Sequence, residues 1–520
     1  MTVTLDDKWT AARGRALLSG PQAIARLLIA QRARDRAAGL RTAGYITGYR
    51  GSPLGHVDTA LWAAASHLAA ADVTFVPGVN EDLAATAVRG TQQLNFVPNP
   101  RVEGVFAAWY GKGPGVDRSL DALKHGNYGG AHPKGGVLIV YGDDHGGKSS
   151  TVAHHSEQSM AAAAIPSLYP AEVGEILQFG LLGYALSRYS GSWVGLKLVN
   201  EVAEQTATVD FSIEDLAPVL PPVVDLPPEG VHVRANSFMP LREEQIVREH
   251  RLPLVQRFVR ANHIDRTQFR AAAPALALVA AGKSFTDTRQ ALVLLGLDDA
   301  RAAAHGISLY KVGCIWPLEP QGIAAFAREH RTLLVVEEKA SILEPQIAQL
   351  LVNLTERPRL IGKQDEEGAP LLPLAAQLEP ARIALAIFGR LERLGIVDAE
   401  VRGAAERVAL LLEGGSTVTM APALRRAPYF CSGCPHSRST RVPQGSLSMT
   451  GIGCHTMVGL VRPAEALLPT HMGGEGANWL GLAPFTNTPH IFQNMGDGTY
   501  YHSGLLAIRA AVASGANITF

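Results

Sequence analysis

The feature that most constrains the fold is the alternation of short apolar, β-prone segments with loops rich in glycine and aspartate. The segments are residues 43–47, 73–77, 102–110, 136–141 and 193–199, then 275–280, 307–312 and 332–336. Helical stretches separate them, as at residues 82–94. Apolar runs that end in such loops are typical of buried parallel strands, with ligands at the carboxyl edge of the sheet. The pattern predicts an α/β fold built on several parallel sheets.

The same pattern divides the chain of 520 residues, which is long enough for about three domains at roughly 100–200 residues each. A stiff linker contains Pro218, Pro221, Pro222, Pro227 and Pro228. We therefore predict an α/β domain at residues 1–225 and a second at 226–362. A helical connector at 363–420 and a final domain at 421–520 complete the prediction.

Charge and composition exclude several classes of function. The 47 basic and 47 acidic residues cancel, and without a basic run the chain is not expected to bind nucleic acid. No stretch approaches the roughly 18 uncharged apolar residues of a membrane span, and Asp6, Asp7 and Lys8 interrupt any signal core. Four cysteines are too few for a disulfide scaffold. We expect a protein of the reducing cytoplasm with no membrane segment.

Three of the four cysteines are close in sequence: Cys431, Cys434 and Cys454. They form a C-x2-C-x19-C pattern, and thiolates separated by two residues can bind one metal centre from a single turn. Sulfur ligands select zinc or iron–sulfur clusters, and His436 could complete a zinc site. A pair of reduced thiols or a redox-active pair is the alternative. Cys314, in the apolar segment 312–316, is expected to be a buried small hydrophobic residue.

A glycine–aspartate turn follows the predicted strand at residues 491–495. It consists of Gly496, Asp497, Gly498 and Thr499, and a helix is expected at residues 501–513. Backbone N–H groups at such a helix start can bind an anion, and the carboxylate of Asp497 is a suitable ligand for Mg²⁺. This turn could therefore hold a metal-bridged diphosphate. An ordinary glycine-rich turn in which Asp497 caps the helix is the alternative.

Glu81 precedes the apolar part of the helix that follows the second predicted strand. Asn80 is a good N-cap residue, so Glu81 could simply complement the helix dipole. If its carboxyl group faces an apolar interface instead, it can exchange a proton with a ligand nitrogen.

A polar loop at residues 143–155 also follows a predicted strand. It contains Ser149, Ser150 and His154, whose mixed donors could hold an anionic substrate at the carboxyl edge of the sheet. A solvated loop is the alternative.

Taken together, these motifs resemble the thiamine-diphosphate-dependent 2-oxoacid:ferredoxin oxidoreductases. The nearest resemblance is to the indolepyruvate ferredoxin oxidoreductase group in its large fused form, and it covers nearly the whole chain. The segments that carry it are 48–53, 79–81, 310–313, 335–338, 431–436, 451–454 and 496–504. The resemblance implies a pyrimidine-binding domain, a transketolase-C-like domain and an incomplete diphosphate-binding domain.

The resemblance also implies roles for particular residues. Glu81 would hydrogen-bond the aminopyrimidine ring of thiamine diphosphate and so activate the cofactor. Asp497 would ligate Mg²⁺, and the other residues expected to bind the cofactor are Gly474, Glu475, Gly496, Gly498, Thr499 and Ser503. Cys431, Cys434 and Cys454 would hold a [4Fe-4S] cluster. The residues expected to face the substrate are Arg50, Ser52, Ser149, Ser150 and His154.

The implied reaction is oxidative decarboxylation of a 2-oxoacid to acyl-CoA, with coenzyme A as co-substrate and ferredoxin as electron acceptor. The substrate would be indolepyruvate-like or another aryl or branched-chain acid, and the assembly a homo-oligomer. The sequence lacks the family's second Mg²⁺-ligating asparagine and a fourth cysteine near the other three. It is therefore expected to be a fragment that requires a missing C-terminal portion or a partner subunit.

Two other functions stay open from the sequence. One is a non-redox thiamine-diphosphate lyase or synthase whose cysteines bind zinc. The other is an inactive fragment with a binding role.

Overall fold

The computed structural model describes residues 4–223, 225–235, 239–414 and 429–520. The chain divides into two compact units, Met1–Ser416 and Thr417–Phe520. The predicted boundary near residue 420 lies outside the described residues, and the other predicted domain boundaries stay predictions. Among the described residues, no helix is long and apolar enough to cross a membrane.

A seven-stranded sheet forms the first part of unit one. From edge to edge its strands are Cys314–Trp316, Ser167–Leu168, Val194–Val199, Val137–Asp143, Gly104–Lys112, Thr42–Gly48 and Val73–Phe75. All neighbours are parallel except Cys314–Trp316, which is an antiparallel edge strand. The five strands predicted here are confirmed to within a few residues. The parallel sheet is typical of the predicted α/β class.

Both faces of this sheet are covered. Along strand Gly104–Lys112, Phe106 and Tyr110 enter one apolar core, whereas Ala107 and Trp109 enter another on the opposite face. This alternation follows from the two-residue period of a strand. Helices cover both cores, as expected for a buried parallel sheet whose strands read as continuous apolar runs.

A second sheet of five strands follows in the same unit. Its order is Arg359–Ile361, Thr332–Val336, Leu276–Ala281, Ile307–Val312 and Arg266–Phe269, and only the last strand is antiparallel. The three strands predicted for this region are confirmed. A separate antiparallel pair joins Arg15–Ser19 to Thr206–Asp210.

The prediction of one continuous apolar strand at residues 312–316 is wrong in one respect, because the chain passes from one sheet to the other within these residues. Strand Ile307–Val312 belongs to the five-stranded sheet, whereas Cys314–Trp316 joins the seven-stranded one. A carboxylate oxygen of Asp265 accepts hydrogen bonds from the backbone N–H groups of Gly313, at 2.7 Å, and Cys314, at 2.9 Å. These bonds replace ladder bonds at the point where the strand breaks. Cys314 is fully buried, as predicted.

The α-helices of unit one are Asp7–Thr10, Gly20–Ala37, Val57–Ala63, Ala65–Ala70, Glu81–Gln92, Gly113–Gly129, Glu157–Ala162, Val173–Ser190, Asn200–Ala203, Pro240–Gln245, Leu252–Ala261, Gly282–Leu294, Asp299–Ala304, Pro320–Ala327, Leu343–Leu351, Pro380–Leu394 and Ala399–Gly414. Two 3-10 turns, Leu94–Phe96 and Phe211–Asp215, and a π turn, Ile246–Arg251, accompany them. Ile383, Ile387 and Leu391 of helix Pro380–Leu394 share an apolar core with Leu292 and Leu334. This helix, predicted as part of a connector, therefore packs with residues of the five-stranded sheet.

Unit two contains a parallel four-stranded sheet of very short strands. Their order is Ala466–Leu467, Ser448–Met449, Ile491–Gln493 and Ile518–Thr519. The helical segments are His436–Ser439, Cys454–Met457, Val458–Val461, Ala477–Leu482, Ala483–Phe485, Asp497–Thr499, a π turn at Tyr500–Gly504, and Leu505–Ser514. The strand, turn and helix predicted for residues 491–513 are confirmed.

Candidate functional site

Several of the predicted site segments lie at one edge of the seven-stranded sheet. Strand register pairs Gly48 with Tyr110 and Lys112 with Gly142, so three neighbouring parallel strands end together. The loops that hold Arg50 and Ser52, the start of helix Gly113–Gly129, and residues 144–155 leave the sheet side by side. This is the carboxyl edge, where ligands bind in parallel α/β sheets.

The segment that leads to Glu81 reaches the same edge. The N–H of Gly78 donates to the carbonyl of Gly48 at 2.9 Å, and a Cβ on Gly78 would meet that carbonyl oxygen at 2.8 Å. Only a residue without a side chain can run this close to the neighbouring strand. The structure therefore brings together the first-unit segments that the sequence singled out.

Glu81 is the first residue of helix Glu81–Gln92 and is 7% exposed. The side chain of Asn80 caps this helix by accepting a hydrogen bond from the N–H of Leu83 at 3.0 Å, so the predicted N-cap is confirmed. A Cβ on Gly115 would lie 2.7 Å from both Cγ and Oε1 of Glu81. The carboxyl group thus packs directly against the start of the next helix, and Gly115 leaves the space it needs.

The indole N–H of Trp109 fixes the backbone here, because it donates to the carbonyl of Glu81 at 2.9 Å. Trp109 is fully buried in the strand that ends at Lys112. The position of the Glu81 backbone is therefore set by the core of the sheet and not by the surface loop alone.

Lys112 lies at the centre of these segments. Its Nζ is 3.3 Å from the carbonyl oxygen of Ser149 and 3.4 Å from Oγ of Ser150, and its stem covers Gly51, where a Cβ would meet Cδ at 2.6 Å. Burial lowers the pKa of Lys112, and the nearby carboxylates that oppose this shift are Asp144 and Glu81. The ammonium group is thus a partly desolvated cation with long hydrogen bonds.

The conformation of the loop at residues 144–155 is stabilised by hydrogen bonds to the carboxylate of Asp144. Oδ2 of Asp144 accepts hydrogen bonds from the N–H of Ser149 at 2.7 Å and from its hydroxyl at 3.1 Å. Burial alone would raise the pKa of Asp144, but these bonds and the backbone of Lys148 lower it overall. Ser149 is exposed and Ser150 half-buried, and both lie beside the Lys112 ammonium group.

The other predicted substrate residues differ in how they are engaged. Nε2 of His154 lies 3.1 Å from a carboxylate oxygen of Asp117, and its Nδ1 lies 2.8 Å from the carbonyl of Val152. The hydrogen bond with Asp117 raises the pKa of His154. Both ring nitrogens therefore already have partners. Arg50 is exposed and Ser52 half-buried in the loop after strand Thr42–Gly48.

In unit two, a set of glycine-rich loops meets at the carboxyl edge of the four-stranded sheet. A Cβ on Gly451 would meet the carbonyl oxygen of Asn494 at 2.4 Å, and one on Gly473 would meet Oγ of Ser503 at 2.0 Å. These contacts join the loops after strands Ser448–Met449 and Ile491–Gln493 to the loop at 473–476. The Nδ2 amide of Asn494 is buried and has no hydrogen-bond partner among the described residues.

The predicted glycine–aspartate turn lies among these glycine-rich loops, which together are called the cradle. Asp497 is exposed at the start of a short helical turn, Asp497–Thr499, which continues through a π turn into helix Leu505–Ser514. A Cβ on Gly498 would meet no atom within 4 Å, and Gly496 lies beside the ring of His455. Thr499 is buried. The carboxylate of Asp497 is therefore accessible to a ligand from solvent.

Glu475 is fully buried, and its carboxylate joins two of the loops. Oε2 accepts a hydrogen bond from the N–H of Gly473 at 2.6 Å, and Oε1 accepts a longer one from Ile452 at 3.4 Å. Gly474 is buried beside it, and the hydroxyl of Ser503 lies 2.6 Å from Nδ1 of His502. The buried carboxylate of Glu475 therefore links the loop that contains Ile452 to the loop that contains Gly473.

The three clustered cysteines lie near this cradle. Cys431 and Cys454 are exposed and Cys434 is half-buried. The sulfur of Cys434 is 3.2 Å from Nδ1 of His436, whose ring packs edge-to-face on His455 with centroids 4.5 Å apart. Because His455 follows Cys454 and also lies beside Gly496, both cysteine segments and the aspartate turn belong to one local cluster.

Potential metal ligands are rarely close together in the described part of the chain. Among the described residues, the one group of three His, Cys, Asp or Glu ligand atoms within 4.8 Å of one another is Asp365, Glu366 and Glu367. Thiolates on a single zinc ion lie about 3.8 Å apart, given Zn–S bonds of about 2.3 Å in a tetrahedron. The three cysteine sulfurs therefore do not all lie within 4.8 Å of one another.

Sequence reasoning missed Lys112 and His455. Lys112 is the last residue of an apolar strand and precedes the Gly-Pro-Gly start of a helix. This is the position of a ligand residue at a sheet edge, and it could have identified Lys112. His455 follows Cys454, but nothing in the sequence indicates that its ring lies between the cysteine turn and Gly496.

Comparisons with known proteins agree with this architecture. Residues 266–412 match the indolepyruvate oxidoreductase domain family. The chain is 24% identical over 523 residues to the indolepyruvate oxidoreductase subunit IorA of Methanothermobacter marburgensis, covering 98% of this chain and 75% of that protein. It is 23% identical over 411 residues to the corresponding subunit of Archaeoglobus fulgidus, covering 76% of this chain and 59% of that one.

A solved structure shares the fold. It is the 2-oxoglutarate:ferredoxin oxidoreductase from Magnetococcus marinus with 2-oxoglutarate, coenzyme A and succinyl-CoA bound. The TM-score is 0.52 at 13% identity, over 73% of this chain and 66% of that chain. The predicted fold class, α/β with several parallel sheets, is confirmed.

Proposed function

Because this chain is related over nearly its whole length to the indolepyruvate oxidoreductases, we propose that it is the thiamine-diphosphate-binding part of a 2-oxoacid:ferredoxin oxidoreductase. The reaction is oxidative decarboxylation of a 2-oxoacid, indolepyruvate-like or another aryl or branched-chain acid, to its acyl-CoA. The observation that carries the proposal is the meeting of a buried carboxylate, Glu81, and a partly desolvated cation, Lys112, at one sheet edge.

Glu81 is suited to the role of the residue that activates the cofactor. When bound, thiamine diphosphate supplies a nucleophilic carbon and an electron sink for decarboxylation. The carboxyl group of Glu81 would hold a proton in a hydrogen bond to the pyrimidine ring. Its packing against Gly115 and the Trp109 bond to its carbonyl keep the group in one place, and a fixed proton-transfer group contributes about 10²–10⁴-fold to a rate.

Lys112 would bind the carboxylate of the 2-oxoacid. Its Nζ makes long hydrogen bonds to Ser149 and Ser150, and an anion could replace these at little cost. Burial lowers the pKa of Lys112, because its ammonium group is poorly solvated. An ion pair with a substrate carboxylate would therefore stabilise the charged form. Ser149 and Ser150 would add hydroxyl donors, and Arg50 and Ser52 lie on the next loop along the edge.

The loops of unit two fit the diphosphate end of the cofactor. The buried side-chain amide of Asn494, which has no partner among the described residues, could donate to a ligand oxygen. Gly451 lets its loop pack against the Asn494 backbone, and Gly473 lets its loop pack against Ser503. Asp497 is exposed and would ligate Mg²⁺, which prefers oxygen donors. Gly496, Gly498, Thr499, Gly474, Glu475 and Ser503 would complete this cradle.

The cysteines are proposed to hold an iron–sulfur cluster, which would pass electrons to ferredoxin. Cys431, Cys434 and Cys454 lie in the cluster of loops that includes the Asp497 turn, so electrons would travel a short distance. Coenzyme A as acyl acceptor, a homo-oligomeric assembly, and a further chain portion or partner subunit that completes the site belong to the same proposal.

The proposal is tested by anaerobic assay of the full-length protein that contains this chain, together with any partner subunit, after reconstitution with thiamine diphosphate, Mg²⁺, iron and sulfide. We expect coenzyme A-dependent reduction of a viologen by an aryl 2-oxoacid, and iron with acid-labile sulfide on metal analysis. Stoichiometric zinc, with decarboxylation but no reduction of viologen, would favour a non-redox lyase instead. Failure to bind thiamine diphosphate would refute the cofactor assignment.

A further inference from the structure

A small buried cavity in unit one lies apart from the sheet-edge groups described so far. Its volume is about 20 Å³, and the side chains that line it include His145, Glu157, Lys197 and Glu338. His145 comes from the loop after strand Val137–Asp143, and Glu338 follows strand Thr332–Val336 of the other sheet. One water molecule needs about 10–15 Å³ and two to four polar partners. The cavity therefore has room for a single water.

Polar atoms without partners lie in this cavity. Oε2 of Glu338 and both ring nitrogens of His145 are buried, and none of them has a hydrogen bond of good geometry within the described part of the chain, although the backbone of His154 faces the ring. Nε2 of His145 is 3.6 Å from Oε2 of Glu338, which is too long for a direct hydrogen bond. Burying a polar group without a partner is unfavourable, because the group loses its hydrogen bonds to water. Such a pair requires a bridging partner.

The charges around the cavity favour a neutral occupant. Nζ of Lys197 is 2.8 Å from Glu157 and 3.9 Å from Asp143. The other oxygen of Glu338 accepts hydrogen bonds from Nζ of Lys283 at 3.1 Å and from the N–H of Leu378 at 2.8 Å. Together with Lys339, which also lies near the His145 ring, these lysines balance the three carboxylates Asp143, Glu157 and Glu338, so an ion would add uncompensated charge.

The His145 ring itself is neutral. Burial holds the pKa of His145 well below its ordinary value, and the cations of Lys197, Lys339 and Lys283 lower it further against a weak opposing effect of the His154 backbone. A neutral imidazole has one donor and one acceptor nitrogen. A water molecule both donates and accepts, so it satisfies either tautomer and also donates to Glu338.

We infer that this cavity binds one water molecule that bridges the His145 ring to Oε2 of Glu338, and that Glu338 is thereby a positioning residue for the loop at residues 144–155. The base of this loop is already fixed, because the carboxylate of Asp143 accepts from the N–H and the hydroxyl of Ser156 at 2.7 and 2.6 Å. The water attaches the loop to the five-stranded sheet as well. The strands of that sheet lie within residues 266–412, which match the indolepyruvate oxidoreductase domain family.

The first test is a crystal structure of the full chain at about 1.5 Å or better. We expect a spherical density peak within about 2.6–3.2 Å of both Nε2 of His145 and Oε2 of Glu338. A direct contact between the two side chains, or no peak, would overturn the water site.

The second test is hydrogen–deuterium exchange of the full chain, measured by mass spectrometry on peptides from 144–155. We expect Glu338→Ala to speed exchange of this loop by about tenfold, and His145→Phe to do the same, because either removes one end of the bridge. The double variant should add little beyond the larger of the two single effects. The control is Glu329→Gln, an exposed glutamate paired with Arg270.

Unchanged loop exchange in His145→Phe, or simple addition in the double variant, would overturn the inference. His145→Phe keeps the counter-ion of Lys283, so it remains informative if Glu338→Ala does not fold. The effect on turnover rests on the proposed function: Glu338→Ala should raise the KM for the 2-oxoacid several-fold without changing half-saturation by thiamine diphosphate. A wild-type chain without activity would count against the proposed function only, since exchange and density do not depend on it.

Discussion

Replacing Lys112 by methionine tests how the site recognises its substrate. Methionine keeps an apolar stem of similar length against Gly51, so the fold loses little. The charge is lost, and with it a hydrogen bond between the ammonium group and a substrate carboxylate. In the free protein the bonds of Nζ are long, 3.3 and 3.4 Å to Ser149 and Ser150. The cost should therefore fall on substrate binding.

A hydrogen bond between charged groups contributes about 1.5–3 kcal/mol. At about 1.36 kcal/mol for each tenfold change, kcat/KM for the 2-oxoacid should fall about 10- to 150-fold. The assay is the initial rate of viologen reduction under anaerobic conditions at saturating cofactor and coenzyme A.

Lys134→Met is the matched control, because Nζ of Lys134 pairs with Glu103 at 2.6 Å on the surface and its side chain is 46% exposed. We expect this control to stay near wild type. A loss under threefold in Lys112→Met, an equal loss in the control, or a loss confined to cofactor affinity would refute the reasoning.

Other predictions follow from single contacts. Gly115→Ala should lower activity by about 10²-fold, because its Cβ would meet the side chain of Glu81 at 2.7 Å and displace it; Gly129→Ala, at the far end of the same helix, should not. Burial raises the pKa of Asp265 from 3.8 to about 7. The folded state therefore binds this proton more tightly, so the contribution of Asp265 to the free energy of unfolding is fully present below about pH 4 and is lost, by about 4 kcal/mol, as pH rises through 7. Asp265→Asn should flatten this slope in urea unfolding between pH 4 and 8, and an unchanged slope would contradict it.

Much of the fold could be predicted from the sequence, because buried parallel strands are continuous apolar runs. The segments at 102–110 and 307–312 were found for this reason. The break within 312–316 could not, because it depends on hydrogen bonds from Gly313 and Cys314 to Asp265, which is distant in sequence.

The site residues that could be predicted from the sequence are those that belong to a local motif. Glu81 with its N-cap, and Asp497 between glycines, have recognisable neighbours in sequence, and the structure gives each an edge position. Lys112 is one lysine among many, and only its place at the end of a strand distinguishes it. The cavity of His145 and Glu338 joins two sheets and has no signature in either segment.

The account depends most on the role of Glu81, and the most direct test is the rate of Glu81→Gln against thiamine diphosphate concentration. The amide keeps the size of the side chain but cannot hold the exchangeable proton of a carboxyl group. We expect wild-type activity to saturate with the cofactor, and Glu81→Gln to saturate at a similar concentration with a rate at least about 10²-fold lower. A variant as active as wild type, or wild-type activity that does not depend on thiamine diphosphate, would contradict the account.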